Sequence, residues 1–327
     1  MVTDIAPSAD LTGRFSADLA ALGSIEGGVG IAVSGGPDSL ALLLLAEAAL
    51  GATFRVATVD HRLRPEAAAE AEAVAAICAR HGIAHDTITV EWGEPPTANL
   101  QARARDARYA LLGEWALAHG LGAILTAHHA DDQAETLLMR LARGSGVAGL
   151  AGTRARALLV ARDGRQVWRL RPLLGWRRDD LRAIVAAAGI DPVDDPGNRD
   201  ARFDRSRLRA LLAGSEWGDP LRLAASAAHL ADAEEALQFV VAKLAAERIS
   251  TDGEGMTIDA SGLPRELQRR LLGLALEQAG EREPRGAAIN RLLVTLGAGG
   301  SGTLGSVRLV GGSSWRIEPA PPHRRHC

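Results

Sequence analysis

Lysine is almost missing from this chain. Of its 37 Lys and Arg side chains only Lys243 is a lysine, so basic chemistry is left to arginine. A Walker-type phosphate loop needs a lysine beside Ser or Thr. No lysine stands near the glycine-rich turn of residues 34–39, which excludes that loop there. Cysteine is scarce too. Cys78 and Cys327 are the only two, far apart, and they give neither a disulfide framework nor metal-ligand spacing. Long hydrophobic runs are lacking: the run from Leu40 to Ala46 is far too short to span a bilayer. The first residues carry Asp4 and Asp10 and no basic stretch ahead of an apolar one, so no secretory signal is expected. These absences leave a soluble cytoplasmic enzyme, with no membrane partner, as the expectation.

The chain has 327 residues, 47% of them hydrophobic and spread along its length, enough for two domains with a large core in the first. The net charge of −3 hides an asymmetry. Residues 1–150 carry 10 basic and 18 acidic side chains, residues 151–210 carry 14 and 8, and residues 211–327 carry 13 and 14. A local basic surface is what a nucleic-acid partner requires, and the middle segment offers one. A genome biased to arginine gives the same surplus, so composition alone leaves both readings open.

Residues 28–34, 54–60, 85–91 and 121–127 read as short strands rich in β-branched residues. Helical patterns over 38–50, 66–81, 99–119 and 131–143 alternate with them. This alternation predicts βαβ units and a parallel sheet covered on both faces, an α/β fold. Ligands of such sheets sit at the carboxyl ends of strands. Polar clusters fall at three of those ends: Ser34–Ser39, Asp60-His61 and His128–Glu135. Beyond Gly152 a hairpin is expected with Asp163-Gly164 at its turn, then a helix ending at Gly189 and an Arg-studded segment. A boundary follows near 213–220, then a long Ala/Leu helix over 221–249, helices near 264–280 and 285–297, and a closing hairpin at Gly311-Gly312. The expected domains are 1–215 and 216–327, the second a smaller α+β unit behind a helical linker.

The stretch SGGPDS, residues 34–39, ends a buried strand and opens a helix. Backbone N–H groups and the helix dipole make such a turn an anion site. Gly35 and Gly36 allow close backbone approach, Pro37 opens the helix, and Ser34 and Ser39 add hydroxyls. The GxGxxG fingerprint is absent from this turn. Asp38 would repel a phosphate unless a divalent cation lay between them, so Mg²⁺ with a nucleoside triphosphate is the economical reading, with Asp38 its ligand. A plain capped turn, with Asp38 as the cap, is the alternative.

SGGPDS resembles the SGGxDS signature of the PP-loop ATP pyrophosphatases, whose fold is the Rossmann-like, adenine nucleotide alpha hydrolase type. The block TAHHADDQAETLLMRLARGSG, residues 126–146, is similar throughout to that of tRNA(Ile)-lysidine synthetases. VDHRLR (59–64), ARARDARYALL (102–112), RPLL (171–174) and DDPGNRDARFDRSRLR (194–209) resemble further family segments in the family's order, covering about 28–212. The resemblance implies ligation of lysine to C2 of the wobble cytidine in an isoleucine tRNA with a CAU anticodon, through an adenylated cytidine, with ATP giving AMP and pyrophosphate. It implies that Asp132 and Glu135 contact L-lysine and that Arg108 lines that site. Either carboxylate could take the proton of the attacking amine, and spacing does not choose between them. It makes the segment 153–212 a substrate segment and the C-terminal domain the part that recognises tRNA.

Asp132 and Glu135 share a helix face; ordinary first-turn acids would look alike, and that is the preferred reading of Asp131. His61 is expected to face the nucleoside. His128 and His129 are expected to line the nucleotide pocket or satisfy the strand–helix turn. Arg205, Arg207 and Arg209 are expected to meet RNA, fanned out on a helix. The family's Arg-Asn-x-Ile-Arg stands here with Ser206 for Asn, which removes that amide. Trp168 and Trp176 suit base stacking or a buried core. The alternatives are a tRNA 2-thiolation enzyme, which needs more cysteines than are present, and a non-catalytic nucleotide- or RNA-binding module.

Overall fold

The structure is a computed structural model that describes residues 6–63, 66–92, 100–193, 207–208, 211–212, 215, 218–253, 255–281 and 286–320. The chain divides into two compact units, Met1–Ala231 and Asp232–Cys327.

The first unit begins with α1 (Ala9–Ala20), capped by the Ser8 hydroxyl. Alternating strands and helices follow: β1 (Gly28–Ala32), α2 (Pro37–Leu50), β2 (Arg55–Asp60), α3 (Ala67–Arg80), β3 (Ala84–Thr89), α4 (Leu100–Ala118), β4 (Leu121–Leu125) and α5 (Ala130–Ala142). Then come a short α6 (Val147–Leu150), the hairpin β5 (Arg156–Val160) and β6 (Gln166–Leu170), and α7 (Arg178–Ala187). The six strands form one sheet in the order β3-β2-β1-β4-β6-β5. All neighbours are parallel except β5, which is antiparallel to β6. The expected hairpin is therefore not an appendage: β6 pairs with β4 and extends the sheet.

The apolar stretch after SGGPDS is explained by its surroundings. Every residue of α2 from Ser39 to Ala46 is buried. A helix apolar on all sides is stable only when sheathed, and α2 packs against both α1 and α7. Phe15 and Leu19 of α1 seal it from outside. Trp176 also belongs to this core, fully buried, with its Nε1 donating to Asp18 (2.7 Å), so it is not a stacking platform. Close backbone approach is needed at Gly30, where a Cβ would lie 2.6 Å from the Trp115 ring.

The chain winds from β1 outward through β2 and β3, then returns to place β4 on the other side of β1. This is the switch point where a doubly wound sheet opens a crevice at its carboxyl edge. The loop after β1 is SGGPDS, and the loop after β4 is the His128-His129 turn, so the two flank that crevice.

Helix α8 (Pro220–Arg248) starts in the first unit and ends in the second. The second unit continues with β7 (Ile249–Asp252), β8 (Gly255–Ile258), α9 (Arg265–Gln278), α10 (Ala287–Gly297), β9 (Ser301–Leu304), β10 (Val307–Val310) and β11 (Trp315–Pro319). Its sheet is antiparallel, in the order β7-β8-β11-β10-β9. Alternate residues Val307, Leu309, Trp315 and Ile317 face a core completed by Leu271, Leu276, Leu293 and Leu296 of the helices. No helix among the described residues is long and apolar enough to cross a membrane.

Candidate active site

A cavity of about 520 Å³ opens at the carboxyl edge of the first sheet. All three polar clusters contribute to its wall, with Ser34, Asp38, His61, His128 and Asp132 among the lining residues.

The SGGPDS turn builds one wall. Gly35 has φ +81°, a left-handed conformation that favours glycine, and its carbonyl accepts from Val193 N at 2.9 Å. A Cβ there would stand 2.9 Å from the Val193 side chain. Ser39 ties the loop: its hydroxyl accepts from Ser34 N (3.1 Å) and donates to the Gly36 carbonyl (2.9 Å). Gly36 is the N-cap of α2, with Pro37 at the helix start and Asp38 in the first turn. The N–H groups of that first turn and the helix dipole make this end of α2 an anion-binding geometry.

Asp38 does not act as the cap; its Oδ2 lies 3.3 Å from Nε2 of His129. Its other oxygen, Oδ1, is buried with no hydrogen-bond partner. Burial alone would raise the Asp38 pKa, but His129, Arg178 and Arg182 outweigh it and hold the carboxyl below its ordinary value. An ionised, acceptor-only oxygen without a donor fits a hard cation. No cluster of three His, Cys, Asp or Glu side chains suited to a metal occurs among the described residues. A cation here would therefore take most of its ligands from phosphate and water, as Mg²⁺ does.

The second wall is the start of α5. His129 is its N-cap and is 1% exposed. Its ring lies between carboxylates: Asp38 at 3.3 Å, and Asp131 and Asp132 each at 3.6 Å. Burial works against its charge, yet Asp38 and Asp132 prevail and raise its pKa. His128 is the opposite case. Burial, then Arg171, Arg108, Arg105 and Arg169, push its pKa well below the ordinary value. Arg171 Nε donates to His128 Nδ1 at 3.3 Å, and the Thr126 hydroxyl is 3.1 Å from the same atom. Because Arg can only donate, the neutral ring carries its proton on Nε2.

Asp132 and Glu135 share a helix but not an environment. Asp132 lines the cavity and accepts from His129 N at 3.2 Å. Glu135 is 1% exposed, does not line the cavity, and pairs with Arg178 at 3.1 Å. Asp131 Oδ2 accepts from the backbone N of Arg178 at 2.9 Å, so it caps α7 rather than serving only its own helix dipole.

The third wall comes from α4. Arg108 and Tyr109 line the cavity, and Arg108 Nη2 donates to the Tyr109 hydroxyl at 3.2 Å. His61 also lines it; burial and then Arg108 lower its pKa against the pull of Asp60.

Ser34, Gly36, Pro37, Asp38, Ser39, His61, Arg108, His128 and Asp132 thus meet around one space. Glu135 stands behind it. Arg205 and Arg209 lie outside the described residues, and Arg207 is exposed on a short helical stretch. Trp168 is half-buried under the guanidinium of Arg156, 3.9 Å from its ring centre. Sequence reasoning gave no specific role to Tyr109 or Arg171, and for His129 left open the nucleotide pocket or the strand–helix turn, of which its N-cap position fits the second. The doubled histidine before two aspartates was their one local signal; the rest depends on side chains far apart in the chain.

The geometry agrees with what comparison shows. A PP-loop domain model matches residues 14–215. The tRNA(Ile)-lysidine synthase of Novosphingobium aromaticivorans is 48% identical over 95% of this chain and 94% of that protein. That of Zymomonas mobilis is 45% identical over 92% of this chain and 91% of its own. Among solved structures, the U34-tRNA thiolase NcsA from Methanococcus maripaludis aligns with a TM-score of 0.55 at 16% identity, over 68% of this chain and 80% of that one, a likeness of fold alone. With the PP-loop turn, the His-His-Ala-Asp-Asp turn and near full-length relatives in agreement, the chain belongs to the tRNA(Ile)-lysidine synthase family.

Proposed function

We propose that the cavity at the carboxyl edge of the first sheet forms lysidine on an isoleucine tRNA, as a carbon–nitrogen ligase that converts ATP to AMP and pyrophosphate. The observation that carries this reading is that a phosphate-binding turn and a cavity-facing carboxylate from a different strand end, Asp132, share one wall-to-wall space.

ATP lies with its phosphates against the backbone N–H groups of Gly35, Gly36, Asp38 and Ser39 at the start of α2. Asp38, with its unpartnered oxygen, would hold Mg²⁺, which when bound would supply charge stabilisation to the phosphates and the leaving pyrophosphate. The C2 oxygen of the wobble cytidine of a CAU anticodon attacks the α-phosphorus and pyrophosphate departs. The ε-amine of lysine then attacks C2, the C2–O bond breaks, and AMP leaves with that oxygen. The amine loses a proton because only its neutral form is a nucleophile.

Asp132 attracts the lysine ammonium and accepts that proton. Glu135 reaches lysine only by giving up its pair with Arg178, so its part is to hold Arg178 and the start of α7 in place. Arg108 closes the same side of the lysine site, with His61 toward the nucleoside. His128, neutral, offers its Nε2–H to an acceptor in the cavity. Arg205, Arg207 and Arg209 bind the tRNA, the C-terminal unit recognises its body, and the enzyme works in the cytoplasm.

Pyrophosphate release from ATP tests this directly. It should require the tRNA, and Asp38→Asn should abolish it while tRNA affinity stays within about threefold, since a neutral amide oxygen holds Mg²⁺ far more weakly than a carboxylate. Wild-type release by that variant would remove Asp38 from the metal role.

A further inference from the structure

A second anion site is built beside the cavity, on the one tyrosine of the chain. The guanidinium of Arg169 lies 4.2 Å from the centre of the Tyr109 ring, that of Arg108 4.9 Å and that of Arg105 5.1 Å. Arg171 stands behind them, 2% exposed. Two elements distant in sequence supply the set. Arg105, Arg108 and Tyr109 come from the first half of α4, Arg169 from the end of β6, and Arg171 from just beyond it. All sit at the carboxyl edge of the sheet, the same edge as the cavity.

Four cations packed together oppose one another. Among the described residues, no carboxylate pairs with any of them, although arginines elsewhere, such as Arg178, Arg248 and Arg270, have carboxylate partners. The Nε of Arg108 and of Arg169 are buried with no hydrogen-bond partner. The crowding shifts the proton affinities of the cluster. Burial, then Arg169, push Arg171 down to about 9, and the Tyr109 phenol is lowered because Arg108, Arg105 and Arg169 outweigh burial. The π-face of Tyr109 offsets only part of this repulsion. An anion would relieve this repulsion, and planar guanidinium forks suit phosphate oxygens.

Exposure grades outward, from buried Arg171 through half-buried Arg108 and Arg169 to exposed Arg105. A nucleotide already has its cradle at residues 34–39. An opening from the cavity to solvent suits a phosphate within a polymer whose base is inserted and whose backbone stays outside.

We propose that Arg105, Arg108, Arg169 and Arg171, organised on Tyr109, bind a backbone phosphate of single-stranded RNA next to the nucleotide whose base enters the cavity. This rests on the reading of the cavity as the lysidine-forming site. It adds a contact surface on α4 and β6, apart from the segment of Arg205, Arg207 and Arg209.

The test is the salt dependence of tRNA binding by Arg105→Gln/Arg169→Gln, with the ATP KM and lysidine yield measured alongside. Each neutralised phosphate on a single strand contributes about 0.7 to the slope of log affinity against log salt, so loss of this one phosphate contact should lower its magnitude by about 0.7. Affinity should fall about tenfold or more at low salt, with the ATP KM unchanged. Arg105→Lys/Arg169→Lys keeps the charges and should restore most of the slope. If the glutamine pair fails to fold, Arg105→Gln alone, at the exposed end, should lower the slope by part of that amount, again with the ATP KM unchanged. A raised ATP KM with unchanged tRNA affinity would assign the site to the nucleotide and overturn the proposal, as would no change in either. Wild-type protein that shows this slope but makes no lysidine would sink the proposed function and leave the phosphate site standing. Lysidine formation with an unaltered slope in the variants would do the reverse.

Discussion

At the scale of single residues, the site separates side chains that look equivalent on paper. Asp132 and Glu135 lie on one helix face, yet one lines the cavity and the other is locked to Arg178. Their substitutions should fail in different ways. Asp132→Asn should lower kcat about 10²- to 10⁴-fold, the range of a lost general base, with little change in melting temperature. Glu135→Ala leaves a buried guanidinium uncompensated and should cost about 3–5 kcal/mol in a denaturant titration. His128 and His129 diverge in the same manner. The His128 pKa is lowered, so the unfolded chain takes up its proton first and this residue opposes folding as pH falls below about 6.5. The His129 pKa is raised, so its contribution is full below about 6.5 and is lost as pH climbs through the folded value. His128→Gln should therefore lose less melting temperature than wild type on acidification from neutral pH. An unchanged acid slope would contradict a neutral, buried His128. None of this was legible locally. The contrast between the histidines is set by Asp38 on one side and by Arg105, Arg108, Arg169 and Arg171 on the other, and no spacing rule brings those residues together.

At the scale of elements, the strands, their order along the chain and the glycine-rich turn were legible because period and punctuation are local. The alternation of short β-branched runs with helices led directly to a parallel sheet, and its switch point placed the site. Helix α1 passed unread, although Leu11, Phe15 and Leu19 recur every fourth residue behind the cap Ser8. Its importance is tertiary: it covers the apolar face of α2. Phe15 is fully buried, so Phe15→Ala should cost about 3–5 kcal/mol of stability. The ATP KM at a temperature where the variant is folded should be unchanged, because α1 lies behind α2 and not in the cavity wall. A raised KM without destabilisation would mean that α1 shapes the phosphate turn itself. The hairpin β7–β8 also passed unread, since its strands are only four residues each and mostly exposed or half-buried.

At the scale of the whole molecule, chemistry and recognition are distributed along the chain. The first unit holds the cavity, its phosphate turn and the arginine cluster. The net charge of −3 conceals the local arginine surplus of residues 151–210, because the acids concentrated before residue 150 offset it. The central claim is that this cavity joins lysine to a cytidine, and nucleoside analysis of the isoleucine tRNA after incubation with ATP, Mg²⁺ and lysine tests it most directly. The account predicts that the wobble cytidine is replaced by lysidine, with one AMP and one pyrophosphate formed for each, and that omitting lysine prevents it. An unaltered cytidine in tRNA bound by active, ATP-consuming enzyme, or a sulfur-bearing nucleoside that requires a sulfur donor, would contradict it.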